Sequence, residues 1–436
     1  MGPMISVASA RRYARALLSA LALQAAAPAA AAGAGTDLFS SETISISSDF
    51  RLVGVDGERA WLDDGFGKLR FGASEGTNRS DFHVEPEFGE ANLVWRPRLS
   101  WAVSGTIVAA VQNKDGLDAG LSEAFLSFKP LSGGKSKFSA RAGLMWPAIS
   151  LEHSGPEWAV TETITPSAIN SWVGEEVKVV GAEASLATEV GGNKLSATAG
   201  IFDFNDTAGT LLAFRGWALH DEKAMAFKRQ PLPPLNGFIQ YVQPRFSHPL
   251  IDIDYKFLKH PGFYAKLAWE APFPLRLEAI HYDNRADPEA VNADLEWGWR
   301  TKFDNIGAVL DLNDNLQLRT QGMAGHTRMG VPENGVIWVD TRFRSAYLLL
   351  TRHFERGSVS GRIEAFGTRN RGSTLTSEDD EDGWAVTLAA RRGFGKLATG
   401  LIELLHVESD RAARERAGIA PKQSQTQLQM ALRVHW

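Results

Sequence analysis

The chain has 436 residues, no cysteine, 13 tryptophans and 41 glycines, with a formal net charge of −5. The missing cysteines exclude disulfides and thiolate metal centres, so packing and backbone hydrogen bonds must hold the fold. The acidic balance argues against nucleic acid as a partner.

Residues 1–32 read as an export signal. Arg11, Arg12 and Arg15 form a basic head, 16–26 (ALLSALALQAA) is an apolar run, and Ala30, Ala31 and Ala32 precede a cut ahead of Gly33. The apolar run is shorter than the roughly 20 residues of a membrane helix. Its loss removes three arginines and takes the charge to −8. No later stretch is apolar for that length. If the remaining chain crosses a bilayer, it must do so as a closed barrel, the other structure that satisfies every backbone group.

From residue 33 the chain repeats a hairpin pattern of alternating residues and turn clusters. Residues 43–55 (TISISSDFRLVGV) are strand-like, as are 66–73 (FGKLRFGA), 87–95, 99–111, 120–129 and 137–146. A long insertion, 147–174, contains a predicted helix at 166–172. Strands 176–190 and 194–204 flank the turn GGN, a strong hairpin signal. A second insertion, about 205–260, carries a predicted helix at 207–221 and three prolines, Pro231, Pro233 and Pro234, which exclude a simple strand. Hairpins then resume at 263–271, 275–283, 294–312, 316–328, 336–354, 359–369, 384–392 and 397–409.

The last stretch, 425–436 (QTQLQMALRVHW), puts Leu428, Met430, Leu432, Val434 and Trp436 on one face and Gln425, Gln427, Gln429, Arg433 and His435 on the other. Closing on Trp436, it resembles the C-terminal strand of Gram-negative outer-membrane barrels, and the resemblance implies that Trp436 is an assembly signal read by the barrel-assembly machinery. Turn lengths support it. Connections such as RPR, GGN, PFP, NDN, ERGS and GFGK are short, while 113–120, 147–174, 205–260, 284–293, 329–335, 370–383 and 410–424 are long. Strict alternation is what a membrane barrel shows between its periplasmic and outer ends.

The expected fold is therefore all-β: a transmembrane antiparallel β-barrel of about 16 strands (16 to 18), with short periplasmic turns and long external loops. Counting back from Trp436 makes 66–73 the first of sixteen strands. That assigns 66–436 to the barrel and leaves 33–65, with its strand 43–55, as a periplasmic or accessory segment. The whole resembles the sixteen-stranded porin superfamily and, more loosely, its phosphate-selective branch. The resemblance implies a homotrimer, and a loop folded into the pore as a constriction, here 147–174 with Glu152, Glu157 and Glu162.

Strand parity places Arg141, Arg300, Lys302, Arg319, Arg342, Arg344, Arg362, Arg391 and Arg433 on the lumen side, with Glu123, Glu183, Glu296 and Glu364 as acids there. In 294–303, Trp297, Trp299, Thr301 and Phe303 are expected to face lipid. Basic rings lower the barrier for anions, so the pore is expected to prefer them; the alternative is that the arginines only brace the wall.

No H-E-x-x-H or G-x-S-x-G motif is present, and no metal site or cofactor is expected. His281, Tyr282, Ser100 and Ser104 are the nearest approach to a hydrolase set. The acid run 378–382 (EDDED) is expected to be solvated, or bridged by divalent ions to lipopolysaccharide. The functional expectation is a non-enzymatic outer-membrane porin, a passive channel for small hydrophilic solutes, in contact with outer-membrane lipid. The alternative is a plugged barrel with a lipid-hydrolase, adhesion or export role.

Overall fold

The computed structural model describes residues 38–73, 82–114, 116–131, 134–155, 157–235, 237–254 and 259–436. The expected leader, 1–32, lies outside them. Sixteen antiparallel strands close into a barrel. In chain order they are β1 (Ile44–Asp56), β2 (His83–Trp95), β3 (Val103–Lys114), β4 (Gly116–Phe128), β5 (Ser136–Met145), β6 (Val179–Val190), β7 (Asn193–Asp203) and β8 (Gly262–Glu270). The circuit continues through β9 (Leu275–Asp283), β10 (Arg300–Asn313), β11 (Leu316–Glu333), β12 (Val336–Phe354), β13 (Gly357–Asn370), β14 (Glu381–Phe394), β15 (Ala398–Arg411) and β16 (Lys422–His435). Each strand pairs with the next, and β1 pairs with β16, Phe50 opposite Leu432 and Gly54 opposite Leu428, so the sheet has no free edge.

Two-residue periodicity explains the curvature and the solvent each face needs. In β16, Gln427, Gln429 and Ala431 are buried while Leu428, Met430 and Leu432 are exposed; in β12, Phe343, Tyr347 and Leu349 are buried while Leu348 and Leu350 are exposed. An exterior of exposed leucine, isoleucine and phenylalanine around a partly polar interior is the inverse of a water-soluble sheet, and suits lipid. No helix among the described residues is long and apolar enough to cross a membrane, which says nothing of a barrel.

Sixteen strands form, but with a different first member. Residues 43–55 are not an accessory segment: they supply β1, which seals the barrel by pairing on both sides. Residues 66–73 form no strand and fold inward, with Lys68 and Arg70 buried. The long connections expected at 113–120 and 329–335 are instead ladder, since β3 ends at Lys114 where β4 begins at Gly116, and β11 reaches Glu333 before β12 starts at Val336. Long connections 57–82, 146–178, 204–261, 284–299, 371–380 and 412–421 still leave one end of the barrel, together with the two tight connections after β3 and β11, while the connections at the other end are all short.

The helix expected at 166–172 is α1 (Ala168–Glu176), started by Ser167, whose hydroxyl accepts the Asn170 amide. The helix expected at 207–221 shortens to α2 (Thr210–Phe214). Gly209 (φ 104°) and Gly216 (φ 78°) bound it, and a Cβ at either would strike the Thr301 and Thr327 hydroxyls or the Glu381 carboxylate. The main apolar core is inside the barrel. Ile169, Trp172, Val173 and Trp217 from the insertions pack on inward Phe303, Met323, Phe343 and Tyr347, with the Trp172 ring 5.4 Å from Phe303 and 5.2 Å from Phe343.

Candidate functional site

The lumen is crossed by three chain segments, each tied to the far wall by buried polar groups. The insertion between β5 and β6 leaves the wall at Trp146 and bonds to β11, β13, β15 and β16. Arg362 of β13 is its main anchor. Its Nε donates to Glu364 at 2.8 Å, its Nη1 to Glu152 and the Thr165 carbonyl at 2.9 Å each, and its Nη2 to the Pro166 carbonyl at 3.1 Å and the Thr387 hydroxyl at 3.2 Å. Glu152 also accepts from the Ser167 amide and hydroxyl and from Asn170. Glu364 accepts the Ala168 amide at 2.7 Å, and Glu403 of β15 accepts the Ile164 and Thr165 amides. Gln321 of β11 accepts from the Leu151 amide, Asn170 and the Tyr347 hydroxyl. A loop with this many backbone donors taken by wall carboxylates has one position, because each buried acceptor left unpaired costs about 1–3 kcal/mol.

The second insertion crosses behind it. Glu176 accepts from the Gly209 and Leu211 amides, Trp172 and Ser247; Trp217 donates its indole N–H to the Gly367 carbonyl at 3.1 Å; Asp221 accepts from Arg51 at 2.5 Å and Arg70 at 3.0 Å. The third segment, 57–73, locks against it through Lys68, which donates to the Arg215 carbonyl at 2.9 Å while pairing with Glu381 of the β14 wall, and through Arg70, paired with Glu222 at 2.7 Å. Arg414 anchors this segment by holding Glu58 at 2.5 Å.

The sequence-predicted lumen residues divide. Arg141, Arg319, Arg362, Arg391 and Arg433 point inward, as do Glu123, Glu183 and Glu364. Arg141 pairs with Glu183 at 2.5 Å, and Glu183 also accepts the Tyr264 hydroxyl at 2.5 Å. Arg433 holds Asp49 at 2.9 Å and the Val160 carbonyl at 2.5 Å. Arg300, Lys302, Arg342 and Arg344 stand on the outer face instead, because Thr301, Phe303, Phe343 and Ser345, on the opposite parity, pack inside. Trp297 and Trp299 do not face lipid: β10 begins only at Arg300, and both rings, within the connection 284–299, are buried beside Trp338 and Phe214 respectively. Glu296 lies in that loop, accepting from Asn292 at 2.8 Å beside His248.

In the first insertion Glu152 is fully buried at Arg362, Glu162 accepts the Ser358 hydroxyl at 2.5 Å, and the Glu157 carbonyl accepts Lys223 at 2.6 Å. Trp436 exchanges backbone hydrogen bonds with Ile46, at 2.9 and 3.1 Å. The acid run is not merely solvated: Asp379 pairs with Arg416 at 2.5 Å, Asp382 with Arg369 at 2.8 Å, and Asp380 accepts the Asn370 amide at 2.6 Å. His281 faces outward against Asp304, whereas Tyr282 and Ser104 face the interior, so these residues do not converge on one site.

Asp49, Arg51, Lys68, Arg70, Glu175, Arg215 and Asp221 all brace the interior and escaped the sequence. Only Asp49 and Arg51 carried a signal, the alternation of 43–55 with its odd positions inward. Toward the short-turn end the interior stays open. A recess of about 480 Å³ lies along β3 to β6, lined by Ser104, Thr106, Ser127, Arg141 and Glu183.

No protein-family profile matches the chain, and no curated protein matches it. Its structure is similar to the outer-membrane channel DcaP of Acinetobacter baumannii, at 10% identity and a TM-score of 0.53, over 91% of this chain and 99% of that one. It is also similar to the anion-selective porin from Comamonas acidovorans, at 12% identity and a TM-score of 0.52, over 90% of this chain and 99% of that one. The fold is that of the sixteen-stranded porins.

Inside this barrel, two neighbouring carboxyls of α1 titrate in opposite directions. Burial would raise Glu175, but Arg215 at 2.6 Å and His220 at 3.0 Å bring it down to about 2. Burial pushes Glu176 up to about 7, since its neighbours are amides, an indole and a hydroxyl, with no cation bonded to it. A depressed acid stabilises the fold above its unfolded pKa of 4.5 and loses that contribution as pH falls toward 2. A raised acid does the reverse between 4.5 and 7. Each limb is worth about 3 kcal/mol. The Glu176→Gln variant is expected to remove the loss between pH 5 and 7, and Glu175→Gln the acid limb, in denaturation midpoints measured against pH. A wild-type profile that overlays Glu176→Gln from pH 5 to 7 would contradict this.

Proposed function

We propose that the chain is a passive outer-membrane channel for small hydrophilic solutes, with its short turns in the periplasm, its long connections outside and the insertion 147–174 as its constriction. The observation that carries this reading is that insertion's geometry: it leaves the wall between β5 and β6, crosses the lumen of a sealed, apolar-coated barrel and bonds to β13, β15 and β16 opposite. Leaving Arg362 and Gln321 to hold the loop keeps a polar path narrow without a moving part. The homotrimer rests on the family resemblance alone and belongs to this proposal.

We also propose anion preference. Inward Arg319 bonds only to Gln317, at 2.8 Å, and inward Arg391 has no carboxylate within ion-pair distance among the described residues. Glu278, by contrast, is shared by Lys266 and Arg276 at 3.0 Å each. Fixed cations beside neutralised acids favour negative solutes, and the structurally similar porin from Comamonas acidovorans is anion-selective. In a planar bilayer under a salt gradient, the reversal potential is expected on the anion side. Arg319→Glu with Arg391→Glu should move it toward cations by tens of millivolts. A wild-type cation preference would end this reading.

A second reading is favoured by the three crossing segments, whose buried tryptophans fill the long-loop half of the lumen: a barrel closed at rest. Liposome swelling with a small sugar separates the two readings, since a closed barrel gives none.

A further inference from the structure

The cations that parity misplaced into the lumen form a group of their own on the outer wall. Lys302, His326 and Arg342 are register neighbours on β10, β11 and β12, a row about 10 Å wide at ~4.8 Å per strand. Arg344 lies one outward step below Arg342, opposite the small Ala324. Nearby Arg300, Arg328 and Arg369 are already paired, with Asp283 at 3.0 Å, Asp340 at 3.1 Å and Asp382 at 2.8 Å. Lys302, Arg342 and Arg344 are exposed and enter no ion pair among the described residues. The group is local, for the neighbouring outward positions on β14 and β15 at this end are Asp382, Glu408 and Asp410.

Its height matters. From outward Phe354, at the short-turn end of β12, to Arg344 is ten residues. At ~3.4 Å per residue and a strand tilt of about 40°, that is about 25 Å along the barrel axis, the thickness of the apolar band of such barrels. The unpaired cations therefore stand at the upper edge of the hydrocarbon. Directly below them the wall is hollow: an apolar concavity of about 890 Å³ runs across β6 to β12, floored by Ala279, Ala308, Gly322 and Ala346 and edged by Leu195 and Ile306. A Cβ on Gly322 would meet only Ile306 at 3.9 Å and Ala346 at 4.0 Å, so the floor is open.

We propose that this row and hollow form a binding site for a phosphorylated glycolipid of the outer leaflet, its phosphates on Lys302, Arg342 and Arg344 and its acyl chains in the hollow below. The assignment rests on reading the chain as an outer-membrane barrel with its long connections outside. Charge complementarity selects the occupant. Three cations outside any ion pair among the described residues, with the neighbouring outward Asp304 already taken by His281 at 2.8 Å, set flush above a hydrocarbon-facing hollow, match a molecule that carries phosphate and acyl chain in one body. A second copy docked here would leave them unpaired unless it brought acids to the same height.

The test uses the folded full barrel in detergent, titrated with bisphosphorylated lipid A and followed by native mass spectrometry. The triple variant Lys302→Gln, Arg342→Gln, Arg344→Gln is expected to bind about a hundredfold more weakly, at roughly one interfacial cation's worth per residue. Gly322→Trp, which fills the hollow and leaves the charges, should also weaken binding. Arg352→Gln, outward at the opposite end of β12, should change nothing. Dephosphorylated lipid A should bind wild type and triple variant alike. Binding by the triple variant within about twofold of wild type, equal binding of phosphatidylglycerol, or capture of a second copy in place of lipid would each overturn the proposal. Bilayer conductance of wild type, measured beside its lipid A binding, separates the two readings. Conductance with no lipid A binding to wild type removes only this site, whereas absent wild-type conductance removes the channel and not the lipid site.

Discussion

Replacing Arg362 with alanine will lower the barrel's stability by about 3–5 kcal/mol and raise its single-channel conductance several-fold. The size of the first effect follows from what is left behind. Arg362 is 1% exposed, and its removal strands Glu152 and Glu364 in the interior along with the carbonyls of Thr165 and Pro166. Uncompensated buried charge costs more than the lost bonds themselves, so the chain relieves it by letting water reach Glu152. That undocks the insertion from β13. The strand ladders do not depend on this contact, because β12 to β14 stay in register through backbone bonds, and the variant should still migrate as a folded, heat-modifiable barrel. Arg362→Lys keeps a charge but loses the planar fork that reaches both glutamates and both carbonyls, and should fall between the two. Lower stability with unchanged conductance would show that the insertion braces the wall without controlling flow.

Much of this architecture was legible because strands in a barrel obey one rule over long stretches. β16 alternates without a break, β12 keeps its pattern for 19 residues, and the long connections all leave one end. What failed was the choice of face where both faces are half apolar. Around the start of β10, from Trp299 to Phe303, the sequence alternates cations with tryptophan, threonine and phenylalanine, and a water-filled bore would draw the cations inward. The bore is instead packed against Trp172 and Trp217, so Phe303 and Phe343 turn in, and Lys302 and Arg342 turn out. Residues 66–73 alternate like a strand for a related reason. Lys68 and Arg70 are spaced to reach Glu381, Asp221 and Glu222, partners far along the chain that no local pattern signals. Glu152, Glu162 and Arg362 were legible as candidates, from an insertion at the right place and from parity. Their mutual contact was not, since it depends on how far a loop folds across a cavity whose width the sequence does not state.

Excising 207–223 and bridging the gap with a short Gly-Ser linker will open the lumen further than any point substitution. This segment meets the wall at stations along its whole length: Thr301 at the Ala208 carbonyl, Arg411 at the Ala213 and Phe214 carbonyls, Gly367 and Glu381 at Trp217, Arg51 at Asp221, and Gln112 and Glu90 at Lys223. None of these contacts is a ladder bond, so the sheet can close without them. Their loss leaves Arg70 and Lys68 with fewer partners and exposes the inward faces of Phe303 and Phe343 to water. The expected product is a less stable barrel of the same circumference, with conductance and liposome-swelling rate both several-fold above wild type and above Arg362→Ala. Selectivity should also weaken, because charge discriminates best where the path is narrow and poorly screened. If the excised barrel folds yet conducts no better than wild type, the path for solutes does not run beside this segment. The resistance would then lie at the first insertion, whose tip touches Arg433 on the opposite wall.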